Sequence, residues 1–228
     1  MNEIRCICSM ATTHLLRDLA GRFEAREGVR VLLESLSIGE VVDKVKSGAV
    51  FDVVSLAAGS IDALIASGHV RPDTRTDIAR SGIAMAVKAG SPRPDISTEA
   101  AFRTAMLDAR SIGYSTGPSG KALISLFETM GMSERLKGKL VLAPPGTAVG
   151  TLIAEGRAEI GFQQLGELIH IPGLELITDL PPFLRIVTIF SGAICASSTQ
   201  PDLAARFLAF VASPESDDAR RQQGMEPV

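Results

Sequence analysis

Tryptophan is absent from this sequence, tyrosine occurs once, at Tyr114, and all aromatics together make up only 4% of the chain. That scarcity removes the stacking platforms on which single-stranded nucleic acids bind. Charge points the same way. The net charge is -3, and lysine, arginine, aspartate and glutamate are spread throughout without a basic stripe. A phosphate backbone would find no electrostatic partner, so no nucleic-acid partner is expected. No apolar run approaches the length that spans a bilayer, which excludes direct membrane insertion by a helix. The three cysteines, Cys6, Cys8 and Cys195, are an odd number without zinc spacing. On a strand, Cys-x-Cys puts both side chains on one face, so these read as buried thiols, and no metal is expected. "MNEIRCICSM" enters an alternating segment at once, with no basic n-region, apolar h-region or cleavage site. The expectation is a cytoplasmic protein, or a periplasmic one if a signal peptide has been removed.

Within this frame, "GYSTGPSGKALISLF" (113–127) looks like a phosphate loop. The nucleotide motif nevertheless fails. Ser115 stands where the first glycine is needed, and Ala122 where a serine or threonine would bind Mg²⁺. A serine-hydrolase elbow fails too, because Lys121 replaces its second spaced glycine. No cofactor motif is completed. What survives is a helix N-terminus behind small hydroxyl residues, where unpaired N–H groups and the helix dipole suit an anion. An ordinary capped helix is the alternative.

The chain alternates strand and helix. Strand patterns at 4–9, 29–33, 51–57, 83–87, 111–114, 140–142, 159–162, 174–178 and 185–194 are separated by amphipathic helices, and two helices close the chain. Ser97 or Thr98 caps the helix that runs to Leu107. The segment "RPDTRTDIARSG" reads as a link. Such alternation predicts an α/β fold with largely parallel sheets. Several turns that follow strands are built from small, hydroxyl or glycine residues. These are Ser9 to Thr13 (with Ala11 and Thr12), Ser37-Ile38-Gly39, Ser55 to Gly59, Ser115 to Gly120 (with Ser119), and Pro144 to Thr147 (with Gly146). Open α/β sheets bind ligands beyond the carboxyl ends of their strands, so together these turns predict an anion site.

The segments "LLRDLAGRFEAREGVRV", "VVDKVKSGAVFDVVSLA", "GRAEIGFQQLGELIHIPGLELITDLP" and "FLAFVASPESDDARRQQGMEPV" cover nearly the whole chain in order. In them the sequence resembles the type II periplasmic binding proteins, specifically the molybdate-binding branch of transporter substrate-binding proteins. The resemblance implies a two-lobe α/β fold with a ligand cleft between lobes that close by a hinge motion. Residues 1–81 plus 192–228 would form one lobe and 82–191 the other, with crossings near 80–83 and 190–193. Molybdate-type sites resemble one another in using a serine after each of the first two strands. Here Ala11 and Ile38 occupy those positions. Ser9, Thr12, Thr13 or Ser37 could substitute, but a buried oxyanion needs complete hydrogen bonding. Thr12, Thr13, Tyr114 and Lys121 better fit a larger organic carboxylate.

The aconitate isomerases of some bacteria look like members of the same group. Their chemistry needs an acid or base with a pKa near neutrality, and His14, in the first turn of the first helix, is the candidate base. Gln163 and Gln164 end a strand where relatives approach their ligand, and alternation turns one of the two inward. Glu167 follows Gln163 at helical spacing and reads either as a group aimed at the ligand or as a solvated face. His69 reads as solvent-facing and His170 as structural. Arg80, at the first crossing, reads as a carboxylate clamp or an exposed surface residue.

The functional expectation is a protein that binds a small anion, most readily an organic polycarboxylate. A cofactor-independent isomerase of a polycarboxylate such as aconitate is the alternative, and a cytoplasmic ligand sensor the second. If the chain is exported, a transporter permease becomes a partner.

Overall fold

The computed structural model describes residues 3–228. The first elements are β1 (Glu3–Ser9), α1 (Thr13–Glu27), β2 (Arg30–Leu36), α2 (Ile38–Lys46), β3 (Val53–Ala57) and α3 (Ala58–Ala66). Then come β4 (Thr76–Lys88), α4 (Glu99–Asp108), β5 (Ile112–Tyr114), α5 (Pro118–Thr129) and α6 (Ser133–Leu136). They are followed by β6 (Leu140–Leu142), α7 (Val149–Ala154), β7 (Ile160–Gln164), α8 (Leu165–Leu168) and β8 (Leu174–Ile177). The chain continues with β9 (Val187–Ile194), α9 (Pro201–Ala212), α10 (Asp217–Gln222) and β10 (Met225–Glu226).

The chain divides into two compact units. The first contains residues 3–81 together with Thr188–Val228, and the second is Gly82–Val187. The sequence placed the second crossing near 190–193; it falls at Val187–Thr188. The segment read as a link also differs, since its latter half is the start of the long strand β4. Asp77 explains part of that. Its carboxylate accepts from Ser191 Oγ at 2.6 Å and pairs with Arg75, so polar residues that read as a loop are satisfied along the strand.

In the first unit β2, β1 and β3 run parallel, and β9 pairs antiparallel with β3. Alternation along β1 sends Cys6 and Cys8 into one apolar cluster with Leu15, Leu19, Phe23 and Phe207. It sends Ile7 into the other, with Val41, Val54, Leu56 and Ile61. All three cysteines are buried free thiols, as their spacing predicted. α9 and α10 are fastened by Arg220, which is 1% exposed. Its guanidinium donates to the carbonyls of Ile78, Val211 and Ser213 and to the Asp217 carboxylate, so each of its three nitrogens is bonded and the buried charge is paired.

In the second unit β6, β5 and β7 are parallel, so their carboxyl ends, Leu142, Tyr114 and Gln164, lie at one edge. β4 runs antiparallel to β7 and β8. The sheets are thus mixed: parallel triplets carry the helices, and antiparallel strands flank them. Packing of α7 on this sheet depends on missing side chains. A Cβ on Gly161 would come within 2.6 Å of Val149, and one on Gly150 within 2.7 Å of Ile171. The first lets α7 lie directly on β7, and the second lets the α8 segment close over α7. Thr98 is the cap of α4, its hydroxyl accepting from Ala101 N at 3.1 Å.

Candidate functional site

In the first unit the carboxyl ends of β1, β2 and β3 are joined by hydroxyl contacts. The Thr13 hydroxyl stands 2.5 Å from Ser35 Oγ, 3.3 Å from the Ser9 carbonyl, to which it donates, and 3.8 Å from Cys8 Sγ. Thr12 Oγ1 donates to the Ser9 carbonyl and lies 3.5 Å from Ser55 Oγ. Thr12, Thr13 and Ser55 are all buried. Their hydroxyls, expected as ligand donors, therefore hold the three strand ends together. Ser35 belongs to this network and was not singled out in the sequence. Only the parallel register of β1 and β2, which no local pattern records, sets it opposite Cys8.

Ser9 differs. Its side chain is 2% exposed and its Oγ has no hydrogen-bond partner. Burying a hydroxyl unpaired carries a cost, so such a group is a donor waiting for an acceptor. Ala11 is half-buried in a short 3-10 turn (Met10–Thr12) that leads into α1. His14 is exposed on the first turn of that helix. After β2, Ser37 is committed to a capping box: its Oγ donates to Glu40 Oε2 at 2.6 Å and accepts from Glu40 N at 3.4 Å. Ile38 is half-buried against the apolar cluster, and Gly39 is exposed.

The second unit supplies backbone and amide groups. Tyr114 is half-buried at the end of β5, Ser115 half-buried, Ser119 buried and Lys121 exposed. Pro118 opens α5, whose cap residue Gly117 makes no side-chain bond, so the first turn keeps its N–H groups free of any capping side chain. Gly120 is required for a different reason than donor access. A Cβ there would lie 1.7 Å from the Ser115 carbonyl oxygen, so this glycine lets the loop fold flat onto the helix start. Gly146 is exposed with φ +75°, in a turn closed by Thr147 N–H donating to Pro144 O at 3.0 Å; Thr147 is half-buried.

At the end of β7 both glutamines are 2% exposed. Gln163 Oε1 accepts from Val149 N at 2.7 Å, tying this strand to the start of α7. Because Val149 N–H can only donate, the amide oxygen faces it and the NH₂ faces away. Gln163 also hydrogen-bonds Glu167. Burial raises the Glu167 carboxyl to about 7, and the Gln163 bond only partly opposes the rise.

A family model described as bacterial extracellular solute-binding protein matches residues 4–226. The chain belongs to that family. A periplasmic molybdate-binding protein from Azotobacter vinelandii shares its fold with a TM-score of 0.81 at 20% identity, over 97% of this chain and 98% of that one. A sulfate-binding protein, SubI, from Mycobacterium tuberculosis gives 0.82 at 17%, over 100% and 88%. At such identities both speak to the fold alone, which is that of the type II periplasmic binding proteins. A Pseudomonas protein named aconitate isomerase is 34% identical over 219 residues, 93% of this chain and 83% of its own.

Other features of this solute-binding protein lie away from the strand ends. A cavity of about 830 Å³ in the second unit opens at the amino ends of β5 and β7, lined by Lys88, Arg93, Asp108, Arg110 and Glu159 among others. None of the predicted site residues lines it. Arg80 is exposed and donates to Glu226 and to the Pro227 carbonyl, so it ties down the end of the chain. His69 Nδ1 lies 3.0 Å from Ser67 Oγ at the far end of α3. Among the described residues, no group of three or more His, Cys, Asp or Glu could hold a metal, and no helix is long and apolar enough to cross a membrane.

Proposed function

We propose that this solute-binding protein takes up a small organic polycarboxylate through the turns at the carboxyl ends of its parallel strands. We further propose that it moves the double bond of an aconitate-like tricarboxylate by proton transfer. The observation that carries the reading is the 34% identity to the Pseudomonas aconitate isomerase, which extends over 93% of this chain. The residues agree with it. Ala11 and Ile38 bring no hydroxyl to the turns after β1 and β2, where a compact oxyanion would need them, while Ser9 keeps an unpaired one. Lys121, exposed near the start of α5, adds a positive charge suited to an extended carboxylate. Burial raises the Glu167 carboxyl, just beyond the end of β7, to about 7, and His14 stands on the first turn of α1.

A receptor that only binds its anion and delivers it to a transporter permease is the second reading, favoured by the family as a whole. One experiment separates the readings. Thermal shifts are measured with molybdate, sulfate, phosphate and a panel of di- and tricarboxylates, and each stabilising compound is then followed by proton NMR. A ligand at about 100 times its Kd should add roughly 2.7 kcal/mol of stability. Stabilisation by a tricarboxylate with conversion supports the isomerase, and stabilisation without conversion supports the receptor. A response to molybdate alone would sink both polycarboxylate readings.

A further inference from the structure

We infer that Glu167 is the group that carries the proton in this isomerisation, and that Gln163 is the positioning residue that aims it. The inference rests on the isomerase reading above, and its geometry lies wholly within the second unit.

Three observations support it. First, position: α8 begins directly after β7, so Glu167 stands at the carboxyl-end edge of the sheet, which also carries the Tyr114 and Ser115 turn. Second, orientation: the Gln163 amide is fixed at one end by Val149 N–H, and α7 is held against β7 by the bare Cα of Gly161. The amide NH₂ is therefore presented to the Glu167 carboxylate as a donor from a rigid support. Third, isolation: Glu167 makes no ion pair with any lysine or arginine among the described residues. β7 and α7, which pack against α8, contain no ionisable side chain, and α8 has no other. His170, exposed just beyond α8, is the nearest ionisable residue in sequence.

Glu167 is half-buried as a residue, and its carboxyl is the desolvated part. Burial has brought its titration to about 7, where a carboxylate can both accept and return a proton. His14, by contrast, is exposed at the surface of α1.

The step balances without a cofactor. The Glu167 carboxylate removes a proton from the methylene carbon of the tricarboxylate. The C–H electron pair becomes the new double bond, the old π pair moves to the far alkene carbon, and that carbon takes the proton back from the Glu167 carboxylic acid. No oxidant, reductant or metal is consumed.

The test uses the full chain with cis- and trans-aconitate as probes. Glu167→Gln should lower turnover by about 10²–10⁴-fold, the usual share of general acid–base catalysis. Its Kd for the tricarboxylate, read by calorimetry, should stay within about tenfold. In the wild type, kcat/KM should fall as pH drops through about 7, because the protonated carboxyl cannot accept a proton. In Gln163→Leu the ionised form loses a hydrogen bond, so the limb should move to higher pH. A merely structural role for Gln163 would leave the limb in place. If Glu167→Gln is not recovered folded, the limb in wild type and Gln163→Leu decides alone, and an unmoved limb overturns the inference. Turnover retained within about threefold in Glu167→Gln overturns it too, while leaving the isomerase reading standing. A wild type that binds the tricarboxylate but never converts it overturns both.

Discussion

The strand ends of the two units use opposite means. In the first unit, Thr12, Thr13, Ser35 and Ser55 turn their hydroxyls on one another and on the Ser9 carbonyl, and Ser9 Oγ is left over. In the second, the helix start at Pro118 has no capping side chain, and the fixed groups are an amide and a carboxyl, Gln163 and Glu167. A turn rich in serine and threonine is therefore not automatically a turn rich in available donors. Hydroxyls bond to their own backbone readily, and parallel strand ends lie close enough to interlock. The donors that remain open are those with no neighbour to satisfy them.

That contrast can be broken deliberately. Beyond the Glu167 substitution, the largest effect is expected at Gly120→Ala. The added methyl meets the Ser115 carbonyl at 1.7 Å, a backbone atom that cannot rotate away. Either the loop or the first turn of α5 must move, costing about 1–3 kcal/mol or more as in other overpacked sites. Polycarboxylate affinity should fall by more than tenfold if this turn holds the ligand. Calorimetry on the variant checks both, and unchanged affinity in a destabilised protein would remove α5 from the site.

Thr13→Val should act the other way. It keeps the shape and deletes the hydroxyl bonded to Ser35, leaving a partner short of a bond at about 1–3 kcal/mol. Affinity should change little, since that hydroxyl is committed inside the unit. Denaturant unfolding with and without ligand separates the two effects. Ser9→Ala has the smallest expected change in stability and the sign is reversed. Removing a buried hydroxyl without a partner should leave the free protein equally stable or slightly more so. Ligand affinity should nevertheless drop, by roughly 0.5–1.5 kcal/mol for one hydrogen bond. A Ser9→Ala protein that binds as tightly as the wild type would place the ligand elsewhere.

Most of the fold was legible because it is written in periodicity. The period-2 run of β1 and the apolar stripe Leu15, Leu16, Leu19, Phe23 each report a local structure by themselves. The α8 turn was not, since four residues are too few for a helical period. β4 was read only from Ile83, because Asp77 and Arg75 look like loop until their partners are known. The candidate site was legible as a set of turns and illegible atom by atom. Whether Thr13 faces a ligand or Ser35 depends on a register between strands that no local pattern records. The Glu167 environment is similar: its position after Gln163 is in the sequence, while its burial arises where α8 packs against β7 and α7.

The interruption of the first unit by the second has a consequence for synthesis. The second unit is one continuous run, Gly82–Val187, whereas the first requires β9, α9, α10 and the Arg220 bonds to the Ile78, Val211 and Ser213 carbonyls. Chains emerge from the ribosome amino end first, at about 5–20 residues per second, and domains generally fold as units. The segment translated first is thus the last to be completed. While the second unit is being made, β3 waits with the edge that β9 will cover still unpaired, an opening through which a nascent chain can meet a chaperone or another copy of itself.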